Sequence, residues 1–139
     1  MRFESVVEVA ADPARAWEIY ADVERWPEWT ASVTSVERLD DGPLHVGART
    51  RVRQPRLPVA TWTVVALDPG REFRWESTAP GLRTVGTHLV EPTPGGCRVT
   101  ARLDQLGPMG GLVGRLWRGL TERYLALETA GLKARAEHA

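Results

Sequence analysis

The stretch that decides the fold is "REFRWESTAPGLRTVGTHLVEPTPGGCRVTARLDQ", residues 71–105. It divides into three alternating segments, 71–78, 82–91 and 96–105, separated by "APGL" and "PTPGG". In the first, Phe73, Trp75 and Ser77 oppose Arg74 and Glu76; in the last, Val99, Ala101 and Leu103 oppose Arg98, Thr100 and Arg102. In the middle segment Thr84, Gly86, His88 and Val90 share one face. A period of two is the mark of a half-buried strand. The Pro80-Gly81 pair puts glycine where a type II turn needs positive φ. Links this short join antiparallel neighbours, because a parallel crossover takes about a dozen residues or more.

Upstream, "RFESVVEVA" alternates in the same way, with Phe3, Ser5, Val7 and Val9 on one face. Asp12 and Pro13 then predict a helix start, since proline at the first helical position gives up an N–H that has no partner there. Asp22 is placed to cap a second short helix, which Pro27 should interrupt or end. Residues 12–30 therefore read as two short helices meeting at an angle. Further strands are predicted over 32–39, 47–54 and 59–67, with turns at "DDGP", "QPRLP" and "DPGR". Segment 59–67 is ambiguous, although Trp62 and Val64 share a face. Downstream of "GPMGG", Leu112, Leu116, Leu120 and Leu127 recur at three-to-four or longer spacing, with Trp117 and Tyr124, and predict one helix over 111–136. At 1.5 Å per residue it would be about 40 Å long, enough to cross a whole sheet. Strand, two short helices, six strands and a long helix make an α+β architecture.

With 139 residues, the chain is expected to form a single domain over 1–139, burying roughly two-thirds of its unfolded surface. Lys+Arg and Asp+Glu both number 18, for a net charge of +0. No global field draws in nucleic acid or an anionic membrane. Lys133 is the only lysine, near the end of the predicted helix, and badly placed for Schiff-base chemistry. Cys97 is the only cysteine, which excludes an internal disulfide and fits a reducing compartment. No window approaches transmembrane length, so a soluble, cytoplasmic protein without membrane insertion is the expectation.

The element order resembles the SRPBCC superfamily, the helix-grip fold of START domains, plant pollen allergens and polyketide cyclase/dehydrase-like proteins. The carriers are "VVEVAADPARAW", "ERWPEW", "VGAR" at 46–49, "GTHLVEPTPGGCRVT" at 86–100 and the closing "LETAGLKARAE". Together they cover nearly the whole chain. The resemblance implies a curved seven-stranded antiparallel sheet gripping the C-terminal helix around a cavity, with the two short helices plugging one end. Trp26 and Trp29 would sit on that plug, either closing or lining the cavity mouth or wedging the plug onto the core. The family pattern, a histidine followed two residues later by an apolar residue, turns the face of His88 and Val90 inward.

On that frame the apolar wall would comprise Trp26, Trp29, Trp62, Phe73, Trp75, Val90, Ala101, Leu103, Leu116 and Leu120, with Ser77 among them. His88 and Tyr124 would be the polar anchors and, in an enzyme, the catalytic groups: an imidazole titrates near neutrality and can shuttle a proton. A core histidine bonded to a backbone carbonyl or to Tyr124 is the competing reading. No inward acid is apparent; Glu76 falls on the outer face and Asp104 at a strand end. His45, His88 and His138 are scattered without metal-ligand spacing, and neither a nucleotide loop nor another cofactor motif is present, so no metal or cofactor is implied. Gly114 and Gly119 leave room for a ligand or for close backbone approach, or simply kink the helix. Arg49, Arg51, Arg53 and Arg56 read as a solvated outer patch, and Cys97 as packed with Val99. The expected function is binding of a small hydrophobic, aromatic or polyketide-like molecule between sheet and helix. A cyclase or dehydratase using His88 as acid/base, and a protein-interaction module, are the alternatives.

Overall fold

The computed structural model describes residues 1–138. Strand β1 (Arg2–Val9) leads into helix α1 (Pro13–Ala21) and a 3-10 helix over Val23–Glu28. Six strands follow: β2 (Ser35–Arg38), β3 (Arg49–Arg53), β4 (Ala60–Asp68), β5 (Glu72–Ala79), β6 (Leu82–Thr93) and β7 (Gly96–Leu106). Two helices, α2 (Gly110–Leu116) and α3 (Arg118–Glu137), end the chain. All seven strands pair antiparallel in one sheet of order β1-β7-β6-β5-β4-β3-β2. This is the helix-grip architecture expected from the sequence.

Local chemistry explains most elements. The Asp12 carboxylate accepts the Ala14 N–H at 3.0 Å, capping α1 with Pro13 just inside it. Asp22 does not cap the next element; it pairs instead with Arg25 at 3.4 Å. That element is a short 3-10 helix, and Pro27 within it has no N–H to give to a helical ladder. Gly70 and Gly81 take φ of +85° and +74° in the two Pro-Gly turns, as those turns require. The ambiguity of 59–67 has a physical cause. Between Val64 and Ala66 the β4–β5 register slips at a bulge, so alternation is broken halfway along the strand.

The predicted single helix over 111–136 is instead two. At Trp117 the backbone leaves helical geometry (φ −106°, ψ 15°) between α2 and α3. Helix α2 lies directly on the end of β7: a Cβ at Gly114 would come within 2.5 Å of Met1 Sδ and 3.0 Å of Gln105 Oε1. Gly114 thus serves close approach, whereas Gly119 faces open space. Helix α3 crosses β1, tied by Ser5 Oγ to Thr129 Oγ1 at 2.8 Å and by Lys133 Nζ donating to the Glu8 carbonyl at 2.7 Å.

The outer face carries cross-strand ion pairs, Arg98–Glu8, Arg102–Glu4 and Arg83–Glu76, each at 2.7 Å. Asp104 joins them by pairing with Arg2. Arg49, Arg51 and Arg53 are exposed, alternating with buried Thr50 and Val52. The core lies between the inner face and the helices, with Val9, Phe73, Val90, Val99 and fully buried Cys97 from the sheet and Tyr20, Trp26 and Leu132 from the helices. Burial pushes the Cys97 thiol pKa up, away from reactivity. A smaller cluster of Phe3, Ala101 and Leu125 packs β1 and β7 against α3. Among the described residues no helix is long and apolar enough to cross a membrane.

Candidate functional site

Between the inner face and the helices α2 and α3 lies a cavity of about 380 Å³. Strands β4 to β7 contribute alternate side chains to its wall: Trp62 from β4, Trp75 and Ser77 from β5, Thr84 and His88 from β6, Leu103 and Gln105 from β7. Leu57 and Pro58 enter from the β3–β4 loop, Val113 from α2, Trp117 from the break, and Leu120, Tyr124, Leu125 and Glu128 from α3. Trp26 closes the end next to the 3-10 helix. Its indole N–H donates to the Tyr20 carbonyl at 2.9 Å, and its ring lies 5.4 Å from that of Trp75.

Several sequence-predicted residues are thereby brought together at the wall: Trp26, Trp62, Trp75, Ser77, His88, Leu103, Leu120 and Tyr124. Others are not. Phe73 is fully buried beneath the wall, stacked on the His88 ring at 4.1 Å, with Trp17, Tyr20 and Trp75 also around it. Val90 and Ala101 are core residues. Trp29 wedges the plug against α3, where Gly131 makes room for it: a Cβ there would stand 1.9 Å from the Trp29 carbonyl oxygen. Leu116 is 71% exposed; it lies two residues on from buried Gly114, and so on the opposite face of α2.

His88 is 4% exposed and packed among Phe73, Tyr20, Trp26 and Trp75. Its Nδ1 lies 3.2 Å from the Phe73 carbonyl, so Nδ1 carries the proton and donates. Nε2 is then an unprotonated acceptor, without a partner among the described residues. Burial pushes the imidazole pKa down to about 3, against a smaller upward pull from the Phe73 carbonyl. Tyr124 does not reach His88; its hydroxyl donates to the Pro55 carbonyl, tying α3 to the β3–β4 loop.

The expectation that no acid faces inward is overturned by Glu128. It is 9% exposed, lines the cavity, and accepts the Tyr20 hydroxyl at 2.5 Å through Oε2. Burial pushes its pKa up to about 7, opposed by that hydrogen bond. Tyr20, wholly buried, is pushed well above its ordinary pKa by burial and by the Glu128 charge. The signal for Glu128 lay in the sequence. It sits on the stripe Leu125, Glu128, Thr129, Leu132, Ala136, all buried, so it is a charge on the packed face of the helix.

Sheet, plug, long helix and the cavity between them define a helix-grip cavity protein. The chain belongs to the polyketide cyclase/dehydrase and lipid transport family, whose model matches residues 1–137. Among solved structures, the Zhui aromatase/cyclase of a Streptomyces species superposes with a TM-score of 0.78 at 22% identity, covering 99% of this chain and 93% of that one. A START superfamily protein of Mycobacterium smegmatis superposes at 0.75 and 18% identity, covering 98% and 97%. These likenesses establish the fold. Proteins of Mycobacterium tuberculosis and Mycobacterium bovis described as uncharacterized are 26% identical over 107 residues, 74% of this chain and 64% of their own length.

Proposed function

We propose that the protein binds a small, largely hydrophobic, ring-bearing molecule in the cavity between sheet and helices. The observation that carries this reading is the wall itself. Trp26, Trp62, Trp75, Leu103 and Leu120 surround about 380 Å³ into which only a few polar groups project. That is the make-up of a small-molecule site. The family's description and the aromatase/cyclase neighbour support it. A thermal-shift screen with aromatic and hydrophobic metabolites tests it. A ligand at 100 times its Kd adds about 2.7 kcal/mol of stability, and a true occupant also quenches tryptophan emission. No stabilisation and no quenching across such compounds would count against the reading.

A second reading, an enzyme of cyclase or dehydratase type, is favoured by one observation. A neutral imidazole with a free Nε2 and a carboxyl with a pKa of about 7 line the same cavity. The carboxyl can take and return a proton near neutrality, while the imidazole, pushed down to about 3, stays neutral and offers Nε2 as a hydrogen-bond acceptor. Glu128 would take a proton from the bound molecule and return it to the product, and His88 Nε2 would orient the molecule by accepting a hydrogen bond. Conversion of a bound ligand by the wild type but not by His88→Ala or Glu128→Gln supports this reading; unchanged conversion in both variants removes it.

A further inference from the structure

The polar groups of the cavity are uneven in kind. The protein itself uses up the donors at the Glu128 end: the Tyr20 hydroxyl on Glu128, the Trp26 indole on the Tyr20 carbonyl, and His88 Nδ1 on the Phe73 carbonyl. Along the wall the Tyr124 hydroxyl is spent on the Pro55 carbonyl. Acceptors are left over: His88 Nε2, the second carboxyl oxygen of Glu128 and, towards α2, the buried side-chain oxygen of Gln105, none with a partner among the described residues. The free donors include the indole N–H groups of Trp62 and Trp75 and the Gln105 side-chain amide, while Ser77, Thr84 and Thr121 hydroxyls serve either way. One basic residue borders the wall, Arg102, but its guanidinium lies on the outer face, held by Glu4 at 2.7 Å. An anionic ligand would find no free cation there.

From this geometry we infer that the ligand is cationic: a protonated amine on an aromatic or alicyclic frame, with its ammonium group on Glu128 and His88 Nε2 and its frame against Trp26, Trp62 and Trp75. The inference rests on the reading of the cavity as a ligand site and names its chemical class. Aromatic side chains suit such a ligand, because ring faces attract cations, more strongly when water is excluded. Trp26, Trp75 and Trp62 form a continuous aromatic surface, with successive rings 5.4 and 5.6 Å apart. A cation entering this site needs a counter-charge. Glu128 supplies one at little cost near neutrality, since its carboxyl sits at about 7. If it is protonated when the amine arrives, its proton leaves to solvent and the ammonium takes its place.

The pH sign follows. Tyr20 on α1 bonds Glu128, His88 on β6 packs on the Tyr20 ring and lines the same cavity, and the guanidinium of Arg102 on β7 is held on the outer face by Glu4. No other charged side chain contributes to the Glu128 shift. With a pKa of about 3, His88 stays neutral throughout the range that matters. Glu128 goes from about one-tenth to about nine-tenths ionised between pH 6 and 8. Amine affinity therefore rises about tenfold across that interval, whereas a neutral carbonyl compound, which needs the protonated carboxyl, weakens.

The test is calorimetric titration of the full chain with 1-naphthylmethylamine, 1-acetonaphthone and 1-naphthoate at pH 6 and 8, with Glu128→Gln alongside. The expected result is amine binding about tenfold tighter than the ketone at pH 8, with naphthoate weakest and the amine preference lost in E128Q. A ketone binding as tightly as the amine at pH 8, or a preference unchanged in E128Q, overturns the inference while leaving the cavity a ligand site. Binding of none of the three overturns both. Should E128Q fail to fold, the wild-type pH trends decide: amine affinity that is flat or falls from pH 6 to 8 refutes the cationic ligand.

Discussion

Replacing Glu128 by glutamine should change how stability depends on pH more than it changes stability itself. The variant keeps an acceptor for the Tyr20 hydroxyl but removes the buried titrating group. In the wild type, folding raises the Glu128 pKa from 4.5 to about 7. A raised pKa means that the folded state holds a proton the unfolded chain has released. The associated stability is complete below pH 4.5 and is lost as pH climbs through 7. At about 1.4 kcal/mol per pKa unit, the loss comes to about 3 kcal/mol. His88 works in the opposite sense. Its pKa falls from 6.5 to about 3 on folding, so its contribution is complete above pH 6.5 and is lost as pH falls towards 3. Between pH 4.5 and 6.5 the two slopes oppose, and these two groups together leave the wild-type profile nearly level. In E128Q only the histidine slope survives, so stability rises with pH there. The difference between the two proteins cancels every other group. Urea unfolding at pH 4, 5, 6, 7 and 8 should show E128Q gaining about 3 kcal/mol on the wild type across the series. Parallel profiles would show that Glu128 titrates like a surface carboxylate, and the account of its burial would be wrong.

Further outcomes follow from packing. Gly131→Ala puts a methyl group 1.9 Å from the Trp29 carbonyl oxygen and should cost about 1–3 kcal/mol by overpacking. Gly119→Ala, with open space around it, should gain about 0.5–1 kcal/mol from helix propensity; both are read by urea unfolding. Leu116→Ala should leave stability within about 0.5 kcal/mol and ligand affinity unchanged, because that side chain is exposed. Leu120→Ala, at the cavity wall, should weaken a bound hydrophobic ligand. Tyr124→Phe removes the tie to the Pro55 carbonyl. It should lower stability by about 1 kcal/mol and speed amide exchange in residues 54–59, the latter read by hydrogen-exchange mass spectrometry.

The sheet was legible because its strands alternate cleanly and its turns carry Pro-Gly pairs; only β4, with its bulge, defeated the pattern. The helical end was harder to read. Leucines at three-to-four spacing look the same whether a helix runs on or is interrupted, so the break at Trp117 and the exposure of Leu116 left no trace in periodicity. Cavity wall and filled core also share one pattern. Phe73, Val90 and Ala101 alternate just as Trp75, His88 and Leu103 do, and depth beneath the helices separates them. Glu128 escaped attention because an acid on a long helix is ordinarily a surface residue. Its position on the buried stripe, between Leu125 and Leu132, was the available clue.

The most direct test of the central claim is a titration with N-phenyl-1-naphthylamine, an uncharged hydrophobic fluorophore at neutral pH, followed by energy transfer from the tryptophans. Saturable one-to-one binding is predicted for the wild type, and its loss in Leu103→Trp, which fills the cavity from β7 while circular dichroism shows the fold kept. No saturable binding to the wild type, or equal binding to the folded Leu103→Trp variant, would contradict a ligand site between sheet and helix.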